Sequence, residues 1–318
     1  MCSRVAGKDG GETTHPSERA RELVHGAYDH HVHVSPDVME RRIDDLELAN
    51  RFEELGLAGF TLKSHYVPTA ERASVVRSAV SSIDAVGAIA LNAAVGGMNA
   101  LAVDIAAREG AKLVWLPTVN AANETARLAS SSFGGGKLPF WARLQQELRE
   151  NGISSEPVRV VDETGAVLPE TRAVLRTVAS HDLVLATGHL GRDEIFAVVE
   201  AAWEEGVHRL VVTHPEFPSQ NLSAEDQSRL IEQGALMERC FTPAYSGKVS
   251  WEAMFENIRG TGPENSYLST DLGQPANPPV EDGLALMADR LLSAGFEEEE
   301  VRTMAVENTR RLVAEVFV

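Results

Sequence analysis

The sequence predicts a (β/α)8 barrel, and three observations carry that expectation. Apolar stretches of strand length alternate with stretches of helical periodicity along most of the chain, which calls for parallel strands joined by helical crossovers. Eight such strands fit within 318 residues, a number that suits a closed cylinder better than an open sheet. No strand is followed by Gly-x-Gly-x-x-Gly, the mark of the competing doubly wound sheet.

Composition sets the outer limits. A chain that is 43% hydrophobic and 24% charged has enough apolar material for one large barrel or two smaller domains. Its net charge of -18 argues against a general nucleic-acid binder or a protein that docks on anionic membranes, since both need basic surface. The expected partner is a small-molecule substrate, and a homo-oligomer is left open. The two cysteines, Cys2 and Cys240, imply no disulfide framework and suit a reducing cytoplasm. Met1 to Arg19 is polar and Gly-rich, and nowhere do about 18 apolar residues run together, so neither export nor membrane spanning is expected.

The elements follow in order. Residues 1–16 read as a mobile tail, and Pro16-Ser17-Glu18-Arg19 begins a short helix, so the tail is set at 1–19 and the barrel domain at 20–318. The first strand lies within Tyr28 to Val34. A helix over Ile43 to Leu55 follows, with Leu46, Ala49, Phe52 and Leu55 at helical spacing and Gly56 closing it. Gly59 to His65 is the second strand, with a helix over Ala70 to Ser82; Ala85 to Ala93 is the third, with a helix in Gly97 to Gly110; Ala111 to Pro117 is the fourth. Residues 119–170 then interrupt the alternation as an elaborated, lid-like loop. It contains a Gly/Ser-rich piece (Ser130 to Gly136), an amphipathic piece (Trp141 to Leu148) and a small hairpin turning at Glu163-Thr164-Gly165. Regularity returns with a helix over Glu170 to Ser180, strand five at Leu183 to Gly188 and a helix over Asp193 to Glu205. Strand six is Arg209 to Thr213, followed by a helix over Ala224 to Gln233, strand seven at Ala235 to Phe241 and strand eight at Tyr267 to Thr270.

A barrel of this kind carries its chemistry at the carboxyl ends of its strands. In Tyr28-Asp29-His30-His31-Val32-His33-Val34, alternation puts Asp29, His31 and His33 on one face and His30 on the other. Paired imidazoles two residues apart can grip one divalent ion. Taken singly, a histidine is more often a structural hydrogen-bonding residue than a ligand. Here His31, His33, His65, His189 and His214 all fall at or just after strand ends, and Asp271 closes the eighth strand in the corresponding place, which together predicts a metal site.

Order and placement resemble the amidohydrolase superfamily of metal-dependent (β/α)8 hydrolases, from about residue 24 to 315. In that family His-x-His ends the first strand, here His31 and His33; single histidines end strands five and six, here His189 and His214; and an aspartate ends strand eight, here Asp271. The closing segment, with Asn308-Thr309-Arg310-Arg311-Leu312, is similar to the family's last helices. One position departs from the pattern. Two-metal members commonly bridge their ions by a carboxylated lysine or glutamate from strand four, but that strand ends here in Leu116-Pro117-Thr118. Lys63 and His65 share a face of strand two instead. Lys63 is thus a candidate for carboxylation into an anionic bridge, or pairs with Asp29 or Asp271, or binds an acidic substrate group while His65 is the ligand.

The resemblance implies one or two divalent ions, zinc by default, and a hydrolase that cleaves a C–N bond of a small amide or cyclic amide with a metal-activated water. Asp271 would take the proton of that water and pass it to the leaving group. His214 would hold the second ion, or act on the substrate oxygen if one metal is bound. Asp29 is either a partner fixing a ligand tautomer or a structural acid. Arg72, Asn92 and Tyr66 are the substrate-contact candidates, with Arg41, Arg42, Asn99, Glu216 and Arg239 nearby; for most of these, solvation is the simpler reading. The competing chemistries are hydrolysis of an ester, lactone or phosphoester and a one-metal lyase (decarboxylase). A metal-stabilised binding barrel is the non-enzymatic alternative.

Overall fold

Eight short strands, buried along nearly all of their length, meet edge to edge. They are β1 (Tyr28–Val32), β2 (Gly59–Leu62), β3 (Asp84–Ala90), β4 (Ala111–Trp115), β5 (Val184–Ala186), β6 (Leu210–Val212), β7 (Ala235–Cys240) and β8 (Ser266–Ser269). In the computed structural model, which describes residues 15–130, 140–153 and 156–314, they form one sheet in sequence order with every neighbour parallel. The sheet closes between β1 and the residues after β8. Asp271 N donates to His31 O and His33 N to Leu272 O, both at 2.8 Å, and Val32 bridges Leu272. The fold is a (β/α)8 barrel. Closure removes both sheet edges and brings Asp271 beside the His31–His33 pair.

The helices are α1 (Glu18–Leu23), α2 (Asp45–Glu54), α3 (Ala70–Ala79), α4 (Ala100–Arg108), α5 (Ala122–Ser130), α6 (Phe140–Glu150), α7 (Pro169–Ser180), α8 (Arg192–Glu204), α9 (Ala224–Glu232), α10 (Phe241–Tyr245), α11 (Trp251–Thr261), α12 (Gly283–Ser293), α13 (Glu298–Arg302) and α14 (Asn308–Val313). Their starts are chemically marked. Asp44 accepts from Glu47 N at 2.8 Å to cap α2, and Ser223 caps α9 with Asp226 closing the reciprocal box, which satisfies donors that a helix start leaves unpaired. The buried face of α2 is Leu48, Ala49 and Phe52, and Phe52 meets Phe60 of β2 edge to face at 5.3 Å. Of the row Leu46, Ala49, Phe52 and Leu55, Ala49 and Phe52 lie on that face, while Leu46 is exposed. Steps of three residues fall short of the 3.6-residue turn, so such a row drifts around the helix.

The strands end one to three residues earlier than the sequence suggests, because pairing stops where side chains turn into the mouth. The N-terminal boundary also moves. Ser17 caps α1 and bonds Asp289 through its amide and hydroxyl, at 2.8 and 2.6 Å, while Arg19 pairs with Glu298. Residues 17–19 therefore belong to the barrel domain rather than to a tail; residues 1–14 lie outside the described residues.

Between β4 and α7 the chain makes α5, α6 and a small hairpin. Val161 and Val167 form an antiparallel bridge around a turn in which Asp162 Oδ1 accepts from Thr164 N and Ala166 N. The Gly/Ser-rich piece falls mostly outside the described residues. The barrel interior is filled by Ala88, Ala90, Leu113, Trp115, Val184, Ala186, Val211 and Tyr267, so the cylinder is a packed core and only its mouth is free for chemistry.

Candidate metal centre

Six strands deliver titratable side chains to one point. His31 lies in β1 and His33 just beyond it; Lys63 and His65 follow β2, His189 follows β5, His214 follows β6, Glu238 lies in β7 and Asp271 follows β8. The five imidazoles form a ring: centroid separations are 5.5 Å for His31 to His33, 5.0 Å to His65, 6.4 Å to His189, 5.1 Å to His214 and 6.2 Å back to His31. Asp271 Oδ1 stands 3.1 Å from Nε2 of both His31 and His33, and Lys63 Nζ stands 2.7 Å from His31 Nε2.

The backbone bends hard to achieve this. His214 and Asp271 adopt φ of 27° and 53°, the left-handed region in which histidine and aspartate are over-represented among non-glycine residues. Gly273 has φ 133°, and a Cβ there would lie 1.6 Å from His33 O. Only glycine lets the loop after β8 press against β1.

Burial sets the charge state of four of the five rings, and charge partners set the rest. It holds His65 and His189 well below the usual imidazole range and His214 at about 4, and burial together with Arg41 holds His33 at about 3. These four rings are neutral at pH 7, the form that ligates metals. For His31, burial and Lys63 push downward, but the flanking carboxylates Asp271 and Glu238 prevail and raise it. Burial lowers Lys63. Burial pushes Asp271 upward, yet His31 and His33 hold it well below the usual carboxylate range.

Behind the rings, three of the five Nδ1 atoms have separate partners. His31 Nδ1 lies 3.0 Å from Glu238 Oε1, His65 Nδ1 lies 2.9 Å from Thr118 Oγ1, and His33 Nδ1 accepts from Arg41 at 3.3 Å, the guanidinium being held by Asp37. Nδ1 of His189 and of His214 has no hydrogen-bond partner among the described residues. Glu238 was not anticipated from the sequence. The signal was there: an acid within β7 that by alternation shares the face of Leu236 and Cys240, opposite Arg239. Thr118, from the strand end that lacks a metal ligand, serves His65 from behind.

The substrate-contact candidates divide. Asn92 is fully used as a strut, accepting from Thr118 N and Asn120 N and donating to His65 O and Thr118 Oγ1. Arg72 turns to Asp45 and Val34 O, and Arg239 is buried against Glu216, Gln227, Ser266 and Thr261. None of these three offers its polar atoms to the mouth. Tyr66 packs edge to face on His65, with its buried hydroxyl unpartnered among the described residues. Asp29 accepts from Thr270 N, Thr270 Oγ1 and His31 N, so it ties β8 to β1 as a structural acid. Arg42 straps the loop after Asp271 through Pro275 O and Asn277 O.

The donors suit a metal ion. Ligands at about 2.0–2.1 Å around one tetrahedral ion lie roughly 3.3 Å apart, close to the 3.1 Å spacings about Asp271 Oδ1. His31, His33 and Asp271 form one of two groups of three among the described residues able to hold an ion. The other, His31, Glu238 and Cys240, is a poorer donor set, because burial and the nearby carboxylates keep the Cys240 thiol protonated. At the rim, Phe217 packs on His214 and His189, and the cations Arg127 and Lys248 lie over its ring.

Residues 26–238, about two thirds of the chain, match the family described as "Family of unknown function (DUF6282)". The chain belongs to this family. No curated protein matches it by sequence. Solved structures resembling this DUF6282 chain include a probable dipeptidase, PvdM, from Pseudomonas aeruginosa, with 11% identity and a TM-score of 0.59, covering 93% of this chain and 96% of that one. An amidohydrolase from the same organism gives 12%, 0.56, 92% and 97%. A putative 2-pyrone-4,6-dicarboxylic acid hydrolase from Pseudomonas putida gives 13%, 0.54, 91% and 97%. The DUF6282 barrel thus shares its architecture with these proteins along nearly its whole length. At such identities the likeness is one of fold.

Proposed function

We propose that this DUF6282 protein is a metal-dependent hydrolase that cleaves a C–N bond of a small amide or cyclic amide. The observation that carries the reading is the convergence of His31, His33 and Asp271 at ligand spacing, with the Asp271 side chain 21% exposed toward the mouth. That leaves an approach for water and substrate beside the donors, as a catalytic site requires and a closed structural site does not. His31, His33, His65, His189, His214 and Asp271 would hold one or two divalent ions, zinc by default. When bound, such an ion lowers the pKa of water from 15.7 toward about 7 and polarises a substrate carbonyl.

The chain's own groups supply the rest. Asp271, kept ionised by its histidines, accepts the proton of the attacking water and returns it to the leaving nitrogen. Glu238 orients His31 from behind. Lys63, buried over Trp115 at 4.7 Å and adjacent to His31, would serve as an anionic ligand if carboxylated. The names of the similar structures support hydrolysis and span both a dipeptidase and a pyrone dicarboxylic acid hydrolase. Ester or lactone cleavage by the same centre is therefore the second reading.

The test is metal analysis of the purified protein with an assay panel of dipeptides, cyclic amides, lactones and phosphoesters. His31→Ala should lose metal and activity, and Asp271→Asn should lose activity by at least about 100-fold. Full activity of both variants without bound metal would refute the proposal.

A further inference from the structure

The segment between β4 and β5 reaches the centre through α5, and its first turn carries two residues that face His189. Asn123 Nδ2 donates to His189 O at 3.2 Å and to Ser219 O at 2.8 Å, so this turn holds the loops after β5 and β6 together. The next residue, Glu124, is 4% exposed. Its Oε2 lies 3.8 Å from His189 Nδ1, and both atoms are buried with no hydrogen-bond partner among the described residues.

Two orphaned polar atoms facing each other, one an acceptor and the other a ring nitrogen, are each other's natural partner, since a buried polar group without one is costly. The gap is under 1 Å beyond hydrogen-bond length. Across the mouth the same pairing is already closed, His31 Nδ1 meeting Glu238 at 3.0 Å. A ligating histidine generally donates its other ring N–H to such a carboxylate, which fixes both tautomer and ring orientation.

We propose that Glu124 is a positioning residue for His189: it accepts the Nδ1 proton and so turns the Nε2 lone pair of His189 into the mouth. The inference rests on the metal-centre reading above. It makes the inserted segment part of the centre, with α5 holding His189 by its carbonyl through Asn123 and by its ring through Glu124.

The experiment compares wild type, Glu124→Ala and Glu124→Gln by zinc competition against a chromophoric chelator, and by histidine 15N NMR of the metal-free proteins. Glu124→Ala should weaken zinc binding by about 10–100-fold, with His189 leaving the Nδ1–H tautomer. Glu124→Gln, whose amide oxygen still accepts, should restore most of the affinity, a rescue that loss of packing alone does not produce. Wild-type His189 found as the Nε2–H tautomer overturns the assignment without any variant. So does a Glu124→Ala protein that binds zinc like wild type while wild type itself is loaded. Wild-type protein that takes up no zinc instead refutes the metal-centre reading, and this assignment with it.

Discussion

Lys63 Nζ stands 2.7 Å from His31 Nε2, the nitrogen that also faces Asp271. With Nδ1 turned to Glu238, Nε2 is the ring atom left for a metal, and a proton shared with Lys63 blocks it. Carboxylates raise His31 while burial lowers Lys63, so the two groups compete for that proton. Metal uptake should therefore expel a proton, and affinity should rise with pH. Calorimetry in buffers of different ionisation enthalpy measures the release. Loading with no proton release would show that His31 Nε2 is not a ligand.

Glu238 is fully buried and accepts from both His31 Nδ1 and Ser269 Oγ, at 3.0 and 2.9 Å. Glu238→Ala removes the acceptor behind His31, so zinc affinity should fall by about 10–100-fold, whereas Glu238→Gln, whose amide oxygen still accepts from Nδ1, should keep most of it. Equilibrium dialysis of wild type and both variants at one pH decides it.

His30 and His31 are neighbours with opposite duties. His30 lies between Thr61 Oγ1 at 2.9 Å and Thr309 O at 2.7 Å, tying β1 to β2 and to α14. His30→Ala should leave metal stoichiometry intact while costing about 1–3 kcal/mol of stability, the penalty for orphaning buried polar partners. His31→Ala should lose bound metal. Chemical denaturation beside metal analysis separates them.

Acid should unfold the metal-free protein. Burial depresses His30 and His214 to about 4, and burial with Arg41 depresses His33 to about 3. Below the ordinary value of 6.5 the unfolded chain binds protons that the folded one refuses, so stability falls as pH drops from about 6.5 toward 4. Each group contributes a slope of up to about 1.4 kcal/mol per pH unit. Asp29, raised to about 7 by burial, works the other way, losing stability as pH rises from about 4 to 7. With His65 and His189, which burial also holds well below the usual imidazole range, five depressed histidines outweigh the raised Asp29, His31 and Glu124, and the net slope is positive. Denaturant midpoints at pH 4.5, 5.5 and 6.5, in a chelator, test the sign.

Gly273→Ala should be among the most damaging single-methyl additions. Its Cβ would sit 1.6 Å from His33 O at φ 133°, so either the β1–β8 closure opens or the loop carrying Asp271 shifts. Stability should drop by about 3 kcal/mol or more. Ala at Gly206, which has open space around its Cβ but φ 83°, should cost less. Thermal unfolding of both variants makes the comparison.

The repeating strand and helix pattern was legible because parallel strands buried on both faces must be apolar and their crossovers amphipathic, both local properties of the chain. His31, His33, His65, His189, His214, Lys63 and Asp271 were legible for a related reason: closure brings every strand's carboxyl end to the same mouth, so position along a strand already specifies position in space. What lies behind those residues was not. Glu238 behind His31, Glu124 facing His189, Arg41 on His33 and the use of Asn92 as a strut depend on which way each side chain turns from elements that are far apart in sequence. The left-handed turns at His214 and Asp271 are likewise set by the packing of neighbouring loops. The order of residues along the chain determined the ring of candidate ligands; the tertiary structure alone decided their protons and their supports, because both depend on burial and on partners that no local pattern encodes.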